Sequence, residues 1–373
     1  MEGVPWGGSE ELWHRVANHA IHAGHYVAVC TKKWADEPIQ ITRLRSEGVT
    51  IITRQHTLAT RIFRKIERTF TGKEGMVKSR YLRLLYDFNP DCVLISQGAT
   101  FDFFHYLPIY YFVEQVKKPY YLISQFNFEN AYLLNDETRK RVASGKHQRW
   151  AKFYFVSERN LQTAKRQTAF DIPNAQVISN PVNILKIGKS IWPANPVLQL
   201  ACVARFDCSC KGQDVLMQTL AEPVFKSIPF KLNLFGKGQD ETYLKELIEF
   251  YQLHDKVSIK GQSTDIDKIW DEHHVLVLPS IAEGTPLSLQ ECMLKGRPAL
   301  VTDVGGNSSL ITNGDNGFIA AASSVNCLKE KLLELFNTPM KALEEMGSKA
   351  FEKAIASIDT DSSKKILTTM VQQ

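Results

Sequence analysis

Short apolar runs recur between helix-forming stretches, and that alternation narrows the fold more than any other feature of the chain. The runs lie at residues 26–30, 49–52, 92–96, 120–124, 153–156 and 177–178, then at 198–204, 231–235, 257–260, 275–278 and 299–302. A run this short, apolar on both faces and followed by a helix, reads as a strand of a covered parallel sheet. Strands that alternate with helices predict an α/β fold. In such sheets the working loops follow the carboxyl ends of strands.

The chain has 373 residues, which fits two domains. Its 44% hydrophobic content is ordinary for a globular protein. No run is long and apolar enough to span a bilayer. Met1-Glu2-Gly3 leads straight into a Gly/Trp loop, not a secretory leader, so the expected compartment is the cytosol. The seven cysteines (30, 92, 202, 208, 210, 292, 327) mostly fall in apolar contexts, which predicts reduced thiols. Cys208-Ser-Cys210 has no second pair to complete a knuckle, so no metal site is expected.

Charge is uneven. Residues 1–190 carry 27 Lys/Arg against 17 Asp/Glu, and residues 191–373 carry 18 against 23. The basic excess is densest over 54–83, where Arg61, Arg64, Lys65 and Arg68 share one helical face. A solvated face is the plainer reading. Peripheral contact with an anionic membrane, at its inner face, is the sharper one. No recognised nucleic-acid motif accompanies the charge, so nucleic acid is not an expected partner.

Several loops carry polar groups at strand ends. Pro5 to Trp13 reads as a glycine-rich loop, with Gly7 and Gly8, opening a helix. Ser9 is its expected N-cap, and Leu12, Val16, Ala20 and Ile21 form its buried stripe. The strand at 198–204 is followed by Arg205 and Lys211. The strand at 231–235 is followed by Gly236-Lys237-Gly238, whose glycines allow a ligand to come close. Gly261-Gln262 follows the next strand. The run 275–278 leads into a loop with Glu283, Gly284, Thr285 and Pro286. A helix over 287–295 comes next, with Leu287, Ser288 and Glu291, and Gly296 ends it. Unpaired amides at the start of that helix favour an anion. After 299–302 comes Asp303-Val304-Gly305-Gly306, and helices are expected at 324–337 and 339–356.

Taken in order, Arg205/Lys211, Gly236/Gly238, Glu283/Glu291 and Asp303 to Gly306 resemble the motifs of the retaining GT-B glycosyltransferases of the glycosyltransferase 4 family, the "glycosyl transferases group 1" proteins. The resemblance implies two Rossmann-like domains facing each other across a cleft. The N-terminal, acceptor-side domain would be 1–183, the linker 184–196, and the nucleotide-sugar domain 197–358. The tail 359–373 would pack back on the N-domain. Family members begin with an apolar strand before the Gly7-Gly8 loop, and here only Met1 to Val4 precede it, so the first strand is expected to be missing. Many relatives also carry a His after the strand at 120–124, where this chain has Gln125 and Asn127.

The implied activity is transfer of a sugar, with retention, from a nucleotide-diphosphate sugar to a hydroxyl of a glycan or lipid-linked acceptor, in cell-surface polysaccharide synthesis. Glu283, Arg205 and Lys211 would form the catalytic set, with the two cations on the donor diphosphate. Gly7, Gly8, Gly236, Gly238, Gln262, Gly284, Thr285, Pro286, Leu287 and Ser288 would line the donor, and Glu291 would hold the ribose. No cofactor or metal is implied beyond the co-substrate. The alternative is a catalytically silent nucleotide-sugar-binding or assembly subunit with the same fold.

Overall fold

The computed structural model describes residues 5–54, 79–129, 134–143, 150–184, 186–263, 265–359 and 361–372. The basic face of Arg61, Arg64, Lys65 and Arg68 lies outside the described residues. The chain divides into two compact units. One comprises 1–126, 131–181 and 361–373, and the other 127–130 and 182–360.

The first unit holds six strands: β1 (Ala28–Lys32), β2 (Thr50–Arg54), β3 (Val93–Ala99), β4 (Tyr120–Phe126), β5 (Trp150–Phe155) and β6 (Ala175–Val177). They form two separate parallel sheets, β1-β2 and β3-β4-β5-β6. β1 and β3 therefore each have one ladder partner among the described residues. A groove of about 1960 Å³, lined by residues of both strands, lies between them.

The helix Gly8–His22 follows the expected stripe, burying Leu12, Val16, Ala17 and Ala20. Its N-cap is Gly7, not Ser9. The Ser9 hydroxyl instead donates to Glu10 at 2.9 Å. Glu10 is itself buried, and burial pushes its carboxyl above the usual carboxylate range. The C-terminal helix Ser362–Val371 belongs to this unit. Its Ile366, Leu367 and Met370 pack with Leu12, Val16 and Tyr121, and the Tyr121 hydroxyl donates to Thr369 O at 3.2 Å.

The second unit holds β7 (Leu198–Val203), β8 (Phe230–Phe235), β9 (Val257–Gly261), β10 (Val275–Leu278), β11 (Ala299–Thr302) and β12 (Gly317–Ala320). All six are parallel, in the order β9-β8-β7-β10-β11-β12. This is the doubly wound order, whose direction reverses between β7 and β10. β10 and β11 are buried at every position, as strands covered on both faces must be. Two helices, Val325–Asn337 and Met340–Ser357, complete the cover.

Residues 184–196, expected as a linker, group with the second unit and are tied to it. Arg297 is almost fully buried. It donates from Nη1 to Ser190 O (3.2 Å) and from Nη2 to Ile191 O (2.6 Å), and its Nε faces Trp270 O and His273 O, each at 2.9 Å. Lys295 Nζ donates to Lys186 O at 2.7 Å.

Candidate functional site

Ligands of open parallel sheets bind where the strand order reverses, beyond the carboxyl ends of the strands. Here those ends carry the loop after β7, with Arg205 and Lys211, and the loop after β10, with Glu283. The two loops are joined. Residues Cys208–Lys211 form one helical turn, whose Cys210 carbonyl accepts from Ile281 N (2.9 Å) and Ala282 N (3.1 Å). Gly212 follows at φ +62°, a left-handed conformation, and a Cβ there would sit 2.2 Å from Pro279 O. That close approach brings Lys211 onto the second loop.

At the centre is an ion pair. Lys211 Nζ lies 2.6 Å from Glu283 Oε1, and the Ser280 hydroxyl donates to the same oxygen at 2.7 Å. Glu283 is buried, and Lys211 is mostly so. Ser280 is anchored in turn, its carbonyl accepting from the Thr302 hydroxyl of β11 at 2.6 Å. The ammonium expected on a diphosphate and the carboxylate expected on a sugar are thus each other's partners in this structure.

Arg205 is also engaged. Its Nη2 donates to Asp207 Oδ2 at 2.7 Å, while its Nε is enclosed without a hydrogen-bond partner among the described residues. Burial alone would raise the Asp207 carboxyl. The Ser209 hydroxyl, 2.6 Å from Oδ1, and the Arg205 charge outweigh it and hold that carboxyl below the usual range. Glu291, on the helix Leu287–Leu294, is buried and accepts from Asn183 N at 3.3 Å. That helix starts after Pro286 with no side-chain cap. Thr285, Leu287 and Ser288 are half-buried beside it, Gly284 and Pro286 are buried, and Gln262 is exposed.

The glycines act differently from the expectation. A Cβ at Gly236 would lie 2.0 Å from Ala204 O, and one at Gly238 would lie 2.1 Å from Phe206 O. They let the β8 loop pack onto the β7 loop, holding the backbone that carries Arg205. Gly305 and Gly306 likewise press on residues 283–285, and Gly306 N donates to Gly284 O at 2.5 Å. Gly7 and Gly8 lie in the first unit, and Gly7 is extended, a conformation open to any residue. Gln125 accepts from Asn180 Nδ2 at 2.8 Å, a contact within the first unit.

Sequence reading passed over Ser280 and Asp207. Each lies within three residues of a site residue, and that adjacency was the available signal. The cysteines near the site are buried thiols. Burial pushes Cys202 and Cys208 up to about 12, and raises Cys292 as well.

Residues 198–338 match the family model "Glycosyl transferases group 1". The match falls within the second unit. The poly(ribitol-phosphate) alpha-N-acetylglucosaminyltransferase of Staphylococcus aureus is 29% identical over 194 residues, covering 52% of this chain and 38% of that protein. A Salmonella typhimurium protein, provisionally named colanic acid biosynthesis glycosyltransferase WcaL, is 27% identical over 192 residues, covering 49% and 47%. The chain therefore spans less than half the length of these relatives. Among solved structures, Anabaena Alr3699/HepE in complex with UDP and glucose aligns with a TM-score of 0.72 at 17% identity, covering 100% of this chain and 98% of that one. The fold is that of the GT-B glycosyltransferases. Among the described residues, no helix is long and apolar enough to cross a membrane.

Proposed function

We propose that this glycosyl transferases group 1 protein transfers a sugar, with retention, from a nucleotide-diphosphate sugar to a hydroxyl of a cell-surface glycan or its lipid-linked precursor. The observation that carries the reading is the buried Lys211–Glu283 pair at the strand-order reversal of a six-stranded parallel sheet. Breaking the bond from the anomeric carbon to the diphosphate builds negative charge on the leaving oxygens. Fixed cations and helix-end amides lower that barrier because they need no reorganisation. Arg205, Lys211 and the amides of Leu287 and Ser288 take this role in the proposal, with no metal ion called for. A guanidinium grips phosphate oxygens in a fork, and the unpartnered Arg205 Nε is a donor ready for one.

Glu283, its Oε1 clamped by Lys211 and Ser280, would receive hydroxyls of the donor sugar, and Glu291 those of the ribose. Gly284, Thr285 and Pro286 would shape the wall between them, with Gln262 beside the base. The HepE complex with UDP and glucose supports a uridine donor, and the S. aureus relative's name supports a polymeric cell-surface acceptor.

The test is release of free nucleotide from a panel of nucleotide sugars. Glu283→Gln and Lys211→Ala should each lower turnover by about 100-fold or more, the scale of losing one transition-state donor. Full activity in both variants would end the proposal.

A further inference from the structure

Glu129 lies in a short stretch, residues 127–130, that follows β4 yet groups with the second unit. The chain leaves the first unit after Phe126 and rejoins it at residue 131. Within the second unit Glu129 makes a directed contact: its Oε1 accepts from Gly305 N at 2.8 Å, and the residue is half-buried there. A carboxylate that accepts from a main-chain amide makes a charge-assisted bond, stronger than a neutral one.

Gly305 is where the loop after β11 meets the loop that carries Glu283. It sits at φ +55°, in the left-handed region, and a Cβ there would lie 2.4 Å from Glu283 O and 2.5 Å from Gly284 O. Its backbone therefore rests directly on the Glu283 peptide. Gly306 extends the contact. Its N–H donates to Gly284 O, and a Cβ on it would lie 2.3 Å from Thr285 Oγ1. One strand position earlier, the Thr302 hydroxyl holds Ser280 O, and Ser280 in turn donates to the Glu283 carboxylate. The main chain of 302–306 thus backs the Glu283 loop, and Glu129 grips that backing at the residue that touches Glu283.

We propose that Glu129 is a positioning residue for the donor-sugar loop. Through Gly305 it fixes the main chain of 283–285, so that the Glu283 carboxylate meets the sugar in one orientation. The part in sugar transfer rests on the transferase reading above, whereas the mechanical link from Glu129 to Glu283 does not. Glu129 touches no reacting atom in this scheme, so its loss should fall on turnover and not on nucleotide binding. Arg205 is held from another side, by the close approach of Gly236 to Ala204 O and of Gly238 to Phe206 O.

The experiment compares the 373-residue protein with its Glu129→Ala and Glu129→Gln variants in two measurements. Amide hydrogen exchange read by mass spectrometry needs no substrate. Peptides covering 279–286 and 303–306 should exchange about tenfold faster in Glu129→Ala, while those covering β8 keep the wild-type rate. Glu129→Gln keeps an oxygen acceptor and should stay close to wild type. The second measurement pairs nucleotide release with calorimetric titration by UDP. Glu129→Ala should lower kcat by about 10- to 100-fold, the scale of a small misplacement of a reacting group, with UDP affinity held. Glu129→Gln should recover most of that loss.

Unchanged exchange over 279–286 in Glu129→Ala would overturn the proposal, whether or not the protein turns over a sugar. So would a Gln variant as slow as the Ala variant, or a UDP affinity that falls in step with kcat. A wild-type protein that releases no nucleotide from any donor would end the transferase reading alone, since exchange still decides the link from Glu129 to Glu283.

Discussion

Lys256 donates to three main-chain carbonyls, Phe225 O at 2.7 Å, Lys226 O at 3.0 Å and Ile228 O at 2.8 Å. The first two belong to the end of a 3-10 turn, Pro223–Phe225, so the ammonium serves as its cap. Its Nζ also lies 4.8 Å from the Phe230 ring centre. Lys256→Met keeps the stem and removes the donors, and should lower stability by about 2 kcal/mol, read from denaturant melts. Gly236 makes a second test at this scale. With φ +152° and Ala204 O only 2.0 Å from a new Cβ, Gly236→Ala should lower stability by about 1–3 kcal/mol. If the glycine instead served only ligand approach, nucleotide affinity would fall while the melt stayed put. The pattern Gly-Lys-Gly showed that something comes close, but not what. Contacts between residues some thirty positions apart are set by packing, which no local spacing records.

At the scale of elements, the start of β10 is held by two histidines. His273 Nδ1–H donates to Ile269 O at 2.7 Å and its Nε2 accepts from Asn233 Nδ2 at 2.8 Å. His274 Nδ1 accepts from Gln199 N at 2.9 Å, leaving Nε2–H for Pro193 O at 3.1 Å. Both rings are neutral in these roles, and burial pushes both below the ordinary value of 6.5. The unfolded chain takes up those protons first. Their contribution is therefore complete above pH 6.5 and is lost as the pH falls from there towards the depressed native values. Melting temperature should drop between about pH 7 and pH 5, and the paired His273→Gln, His274→Gln variant should drop less. Eleven of the twelve described strands were legible as apolar runs bounded by polar loops, and β12, Gly317–Ala320, was not. Their grouping was not legible either. That β1 and β2 stand apart from β3 to β6 depends on which edges meet, and each run reads the same in either sheet.

For the whole molecule, the division into two units predicts separable behaviour. The helix Ser362–Val371 lies last in sequence yet packs with the helix Gly8–His22 of the first unit. Removing residues 361–373 would expose Leu12, Val16 and Tyr121. A two-stage melt should then lose its first-unit stage to lower temperature while the second-unit stage stays in place. One shared transition, shifted as a whole, would contradict this. Arg205, Lys211, Glu283 and Glu291 could be singled out in the sequence because all sit in or just after loops at strand ends. Their pairing was hidden. Lys211 and Glu283 are 72 positions apart, and only the order in which β7 and β10 lie side by side brings them together.

The groove between β1 and β3 has one more consequence. Main-chain donors and acceptors along a strand edge that has no ladder partner among the described residues will pair with an extended polypeptide that reaches them. Crowded solutions of this protein should therefore form oligomers that no increase in ionic strength dissolves, since the glue is peptide to peptide and not charge to charge.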